Sequence, residues 1–270
     1  MKMYSGASRK SPPLIEYKNV TLVRNERKVL GDINLSIAAG EHVAILGPNG
    51  AGKSSLIKTI TRELHPLSDN PGSYMRILGK DLWNVAELRN QLGIVSHEAG
   101  RSSFGNFSCR ETVLSGFFSS AGIWPYFHDV TPDMERKANA AMRLMGIYRL
   151  RNKKVNEVST GESRLVTIAR ALVNDPSTML LDEPTASLDL QAARTLRDML
   201  RRIAGQGKGI LMITHNLSDI IPEIKRVVLI RDGRIVADGE KKELLTVESL
   251  SAFFGVKLDV FRRDGYYYCW

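Results

Sequence analysis

What the sequence lacks narrows its class before anything in it is read. No apolar run approaches the ~20 residues that a bilayer span requires. The stretch from Met1 to Pro13 has no apolar centre of the kind a secretory leader needs, and reads as a loose basic tail. Cysteine is scarce: Cys109 and Cys269 form neither a disulfide framework nor a metal-ligand spacing, which suits a reducing compartment. No long heptad run is present, so an extended coiled coil is excluded. What remains is ordinary for a globular protein, with 43% hydrophobic and 25% charged residues. A chain of 270 residues can bury a large core as one elaborated domain or two small ones. The net charge of +9 admits anionic partners, but the basic residues are scattered, which fits a solvated surface better than a nucleic-acid groove.

The chain then reads as strands alternating with helices. Leu14 to Ile37 alternates apolar and polar residues, predicting two strands around a turn at Asn25-Glu26-Arg27. Val43–Leu46 is a short apolar strand, and Leu56, Ile57, Ile60 and Leu64 recur at helical spacing. A loop is expected over His65–Ser73, a strand over Tyr74–Leu78, a brief helix over Ala86–Gln91 and a buried strand over Gly93–Ser96. Glu98–Ser108 reads as a Gly- and Ser-containing loop, followed by helical patterns to about Asn156. In that segment Met134, Ala138, Ala141, Met142, Met145 and Tyr148 mark a packing stripe. Helices are expected over about Glu162–Val173 and around Leu196–Ile203, and strands at Met179–Leu181, Ile210–Thr214 and Val227–Ile230. A hairpin turn is expected at Asp232-Gly233. This rhythm predicts an α/β fold: a mostly parallel sheet covered on both faces, with a helical insertion. The aromatic end, Tyr266 to Trp270, is expected to pack onto the domain.

Gly47-Pro48-Asn49-Gly50-Ala51-Gly52-Lys53-Ser54, followed by Ser55, fits the phosphate-loop pattern G-x-x-x-x-G-K-[ST] between a strand and a helix. Typical residue frequencies give about a one-in-a-hundred chance match in a chain this long. The glycines let backbone N–H groups curl inward, and the helix N-terminus adds positive potential. In such a loop Lys53 reaches the β- and γ-phosphates and the Ser54 hydroxyl is placed to ligate Mg²⁺. Farther on, the apolar strand Met179-Leu180-Leu181 delivers Asp182 and Glu183 at its carboxyl end, where α/β sheets place ligands. Two adjacent acids can divide labour between metal and attacking water, although an acid pair after a strand also caps a following helix.

Here the sequence resembles the ABC ATPase family over nearly its whole length. Five landmarks follow in the family's order: Gly47–Ser54, the signature Val158-Ser159-Thr160-Gly161-Glu162, Asp182-Glu183, Ser187-Leu188-Asp189, and Ile213-Thr214-His215. Ala169-Arg170-Ala171-Leu172 also matches. The resemblance implies a P-loop NTPase (RecA-like) sheet with an antiparallel β subdomain and an inserted helical subdomain. It implies an ATPase domain over 14–250, with the insertion at about 98–158, a tail at 1–13 and an extension at 251–270. The cofactors implied are ATP and Mg²⁺, with Asp182 supporting the metal beside Ser54. Glu183 is then the general base, and His215 contacts the γ-phosphate. Ser159 and Gly161 face the nucleotide on a second copy, and Asp189 communicates across the head-to-tail homodimer.

Three departures stand out. His97 replaces the family's glutamine, so a titratable ring stands where an amide meets water and metal. Arg24 occupies the place of the aromatic that stacks on adenine. Glu162 adds a carboxylate to the signature, which should repel a γ-phosphate unless it points away or pairs with a cation. The function implied is a cassette subunit that hydrolyses ATP and drives a separate membrane permease from the cytoplasmic face. The helical insertion and the loop after His97 would be its docking face. Thr160–Glu162 and Thr112–Phe118 look like a branch near molybdate and other metal-oxyanion importers. The rival is an ABC ATPase acting on nucleic acid or ribosomes. Those relatives usually carry two cassettes or a long coiled coil, so no direct nucleic-acid partner is expected. A binding-only regulator is disfavoured because Lys53, Asp182, Glu183 and His215 are all present.

Overall fold

The computed structural model describes residues 12–67, 72–96, 101–124 and 126–270. Its strands are β1 (Ile15–Arg24), β2 (Arg27–Ile37), β3 (His42–Leu46), β4 (Tyr74–Ile77), β5 (Leu92–Val95), β6 (Thr178–Asp182), β7 (Gly209–Thr214), β8 (Arg226–Arg231), β9 (Arg234–Glu240), β10 (Val260–Arg263) and β11 (Tyr266–Cys269). The helices are α1 (Lys53–Ile60), α2 (Val85–Gln91), α3 (Arg101–Phe104), α4 (Cys109–Leu114), α5 (Pro132–Leu144), α6 (Thr160–Leu172), α7 (Leu190–Gly205), α8 (Lys241–Leu244) and α9 (Val247–Phe254). Among the described residues no helix is long and apolar enough to cross a membrane.

The central sheet runs β5-β6-β7-β3-β8-β9; its first five strands are parallel and β9 folds back antiparallel on β8. Its parallel strands read as apolar runs because both faces are covered, whereas β9 at the edge is exposed at every second residue. The period of two deals their side chains into different layers. Val43, Ile45, Leu180, Leu211, Ile213, Val228 and Ile230 enter one core with α1 and the antiparallel sheet β2-β1-β4. Ala44, Leu46, Met179, Leu181, Ile210, Met212, Val227 and Leu229 enter the other, with α4 to α7. Each fully buried Val, Leu or Ile contributes about 1.5–3 kcal/mol, so these strands anchor the molecule from both sides.

Some boundaries differ from the sequence-based expectation. The β1–β2 turn needs two residues, since Asn25 and Glu26 both take positive φ (48° and 61°). That is the two-residue hairpin geometry whose twist matches the strands, so Arg27 already opens β2. Within the span expected to be a loop before Ser108, Arg101–Phe104 forms the single helical turn α3. The aromatic end does pack, as expected, but as a strand. β10 and β11 pair antiparallel, Tyr267 is buried, and Tyr266 and Val260 lie against the larger core. His97 lies outside the described residues.

Candidate functional site

Parallel strands share a carboxyl edge, and register brings three of them level there. Leu46 at the end of β3 lies opposite Thr214 of β7, and Asp182 at the end of β6 lies opposite Ile213. The Gly47–Ser54 loop, the acid pair and His215 therefore emerge side by side from one edge of the sheet.

The loop is built to wrap something small. Gly50 and Gly52 have φ of 81° and 98°, which favour glycine. At Gly47 a Cβ would lie 2.2 Å from the Ile230 carbonyl oxygen of β8, so the backbone there tolerates no side chain. Ala51 accepts from the Gly233 N–H at 3.0 Å, tying the loop to the β8–β9 turn. Asn84, Ser108, Thr131, Ser159, Asp189 and Thr246 cap α2, α4, α5, α6, α7 and α9 with their side chains. Gly52 gives α1 no such cap, and the first turn of α1 carries no acid. Its amide groups and dipole stay open to an external anion.

Lys53 is buried at 5% exposure and donates to the carbonyls of Gly47 and Pro48 at 2.8 and 2.9 Å. Burial pulls its pKa below the ordinary lysine value, and the carboxylates of Glu183 and Asp182 oppose that pull. Glu183 Oε1 sits 3.8 Å from Lys53 Nζ and 3.0 Å from His215 Nδ1. Glu183 takes the left-handed conformation, with φ of 44°, and its N–H donates to Ile213 O at 2.8 Å. A non-glycine residue held there marks a position fixed by its surroundings. Ser54, Asp182, Glu183 and Ser96 share one cavity of about 200 Å³. Among the described residues no three His, Cys, Asp or Glu side chains gather to hold a metal. Ser54 and Asp182 are sparse, hard oxygen donors, a set that fits Mg²⁺ completed by water and phosphate oxygens. The Gly47–Ser55 segment, Asp182, Glu183 and His215 are thus brought together.

The remaining candidates lie elsewhere. Ser159 caps α6, and a Cβ on Gly161 would meet Ala192 of α7 at 2.7 Å, so the signature packs beside the Asp189 turn. Asp189 itself accepts from Ala192 N at 2.8 Å as the α7 cap. Arg24 is exposed at the β1–β2 hairpin tip, opposite Arg27.

The extra acid of the signature is accounted for. Glu162 accepts from the Ser159 N–H at 3.0 Å, completing a capping box, and pairs with the Arg149 guanidinium. Burial works to raise its pKa, but the Ser159 N–H and Arg149 outweigh that and hold it below the ordinary value. Sequence reading missed Arg149, which reaches Glu162 only through the 3-10 turn Tyr148–Leu150. It also missed Arg164, buried on α6 and donating to Ser96 O at 2.8 Å. An arginine among apolar helix positions was the available signal.

Comparison with known proteins agrees with this geometry. The family model described as ABC transporter matches residues 30–186. An uncharacterized ABC transporter ATP-binding protein of Bacillus subtilis is 32% identical over 254 residues, covering 92% of this chain and 93% of that protein. A hemin import ATP-binding protein of Bradyrhizobium diazoefficiens is 30% identical over 260 residues, covering 93% and 92%. The crystal structure of an ATP-binding cassette in its ADP conformation superposes with a TM-score of 0.77 at 26% identity, covering 90% and 97%. A dimeric cassette in a post-hydrolysis state with ADP and Pi gives 0.68 at 25% identity, covering 84% and 98%. With its phosphate loop, acid pair and histidine converging on one sheet edge, the chain belongs to the ABC transporter family of ATP-binding, ATP-hydrolysing proteins.

Proposed function

We propose that this chain is the motor subunit of a membrane transporter, hydrolysing MgATP at the β3–β6–β7 edge while a separate permease carries the solute. One observation carries the reading. Glu183, the second acid after β6, is held in reach of both Lys53 and His215, as a base poised over a bound phosphate would be. Lys53 and the open N-terminus of α1 bind the phosphates, Ser54 and Asp182 hold Mg²⁺, and His215 orients Glu183 and the γ-phosphate. When bound, Mg²⁺ neutralises charge on the β- and γ-phosphates. Ser159 and Gly161 complete the site on a second copy, arranged head to tail. The subunit works at the cytoplasmic face of the membrane. The permease would dock at the cleft of about 320 Å³ between β5 and the helical segment, lined by Arg89, Phe104, Ser119 and Arg170. A finer placement, near molybdate and other metal-oxyanion importers, rests on Thr160–Glu162 and Thr112–Phe118.

The shared site is tested by one cysteine at Ser159 and one near Ser54, outside the residues that hold nucleotide, in Glu183→Gln protein, with the exposed Cys269 first changed to serine. ATP should bring the two positions into crosslinking range between chains. A pair that never crosslinks in saturating ATP removes the sandwich arrangement.

His97 supplies a second test, of the water-positioning shell. An unperturbed imidazole has a pKa of about 6.5. When neutral it offers one donor and one acceptor, as glutamine does; when protonated it only donates and repels a metal. Hydrolysis by the wild type should therefore fall as pH drops through that range, while His97→Gln holds its rate. Identical acid limbs in the two kcat profiles would assign the titration to another group and leave His97 to permease docking.

A further inference from the structure

Glu183 and His215 come from different loops, and one buried side chain bonds to both loops at once. Asp219 closes the 3-10 turn Leu217–Asp219 just beyond β7 and is 3% exposed. Its Oδ1 accepts from the Thr185 hydroxyl at 2.6 Å, and its Oδ2 from the Thr214 hydroxyl at 2.8 Å. Thr185 stands two residues after Glu183, on the way to Asp189. Thr214 immediately precedes His215. We infer that Asp219 is a positioning residue coupling the Glu183 loop to the His215 loop through the Thr185 and Thr214 hydroxyls. The inference rests on the roles proposed above for Glu183 and His215.

The chemistry of the bridge calls for a carboxylate. A hydroxyl has one proton; Thr214 Oγ1 accepts from the Asn216 N–H at 2.9 Å and gives that proton to Asp219. As placed, both threonines donate to this side chain: a carboxylate accepts at both ends, whereas an amide accepts at one end and would make the other threonine reverse its bond. Burial alone works against this group, pushing the Asp219 pKa above the ordinary aspartate value. The two hydroxyls and the Arg197 charge offset this only in part. An apolar residue would fill the space without that desolvation cost. What the carboxylate supplies instead is fixed separation between two loops, one of them strained at Glu183. Short charge-assisted hydrogen bonds are stiff enough to set it.

The experiment is steady-state ATPase kinetics on the full chain, with nucleotide affinity measured separately. Asp219→Asn and Thr185→Val should each lower kcat by about 10- to 100-fold, the scale of an ångström misplacement, while KM for ATP stays within about twofold. Thr185→Ser, which keeps the hydroxyl, should restore the rate. The double variant Asp219→Asn/Thr185→Val should be no worse than either single, because the two groups act as one unit. Wild-type kcat in Asp219→Asn and Thr185→Val beside an inactive Glu183→Gln would overturn the coupling alone. So would losses that multiply in the double variant, or a fall in kcat that tracks lost ATP binding. Turnover retained in Glu183→Gln would overturn the reading of the site, and the coupling with it. If Asp219→Asn does not fold, the contrast between Thr185→Val and Thr185→Ser decides the matter.

Discussion

Glu183→Gln is expected to abolish steady turnover while leaving ATP binding intact. The amide keeps the shape of the side chain and can still hydrogen-bond His215, but it cannot take a proton from water. General-base catalysis is worth ~10²–10⁴ in rate, and no other carboxylate is placed 3.0 Å from His215 Nδ1 among the described residues. Because Lys53 keeps its bonds to Gly47 and Pro48, the phosphate loop should bind nucleotide as before. The variant should accumulate as an ATP-loaded dimer. Light scattering after size exclusion, with and without MgATP, reads the dimer; phosphate release reads kcat. A rate within a few-fold of wild type would take Glu183 out of the role.

Gly47→Ala should be the most damaging single methyl group in the molecule's loop. The added carbon would stand 2.2 Å from the Ile230 carbonyl oxygen and 3.0 Å from its Cγ2, in a residue held by its pairing with Ile235 of β9. The loop must shift instead, and overpacking of this kind costs about 1–3 kcal/mol in stability. A shift of about an ångström in the phosphate cradle is worth up to about 10²-fold in function. Gly50→Ala is the control: nothing lies within 4 Å of its Cβ, and only the positive φ of 81° is penalised, at about 1–2 kcal/mol. ATP affinity should fall at least about tenfold for Gly47→Ala, the equivalent of 1.4 kcal/mol, and markedly less for Gly50→Ala. Equal losses in a titration calorimeter would mean that conformation, not the Ile230 contact, sets the loop.

The parts of this site that were legible in the sequence are those fixed by short-range chemistry. A glycine-lysine-serine spacing has to be contiguous to fold around phosphate, and Asp182-Glu183 has to follow its strand directly. The continuous apolar runs of β3, β6, β7 and β8 likewise announced a sheet covered on both faces, even though they did not say which residues met which layer. Pairings made through tertiary folding were not legible. Arg149 neutralises Glu162 because a 3-10 turn presents it, and no spacing rule links residues 149 and 162. Asp219 has no motif at all, and nothing in its local sequence links it to Thr185. Glu183's left-handed backbone was equally hidden, since glutamate carries no preference for it. The hairpin β10–β11 was masked by its composition, because a run of three tyrosines signals burial without saying how.

The order of strands in the central sheet also has a consequence for synthesis. β3, which carries the phosphate loop, hydrogen-bonds to β7 and β8. The partner of Leu46 is Thr214, about 170 residues later, which at about 5–20 residues per second takes roughly 10–30 seconds to translate. Until then the loop's own strand has no neighbour on either side, and Gly47 has no Ile230 to lean on. A ribosome-bound chain that has not yet released β7 and β8 lacks both strands that hold the phosphate loop in the finished sheet. Nucleotide binding is therefore expected only after β7 and β8 have closed around a segment made long before.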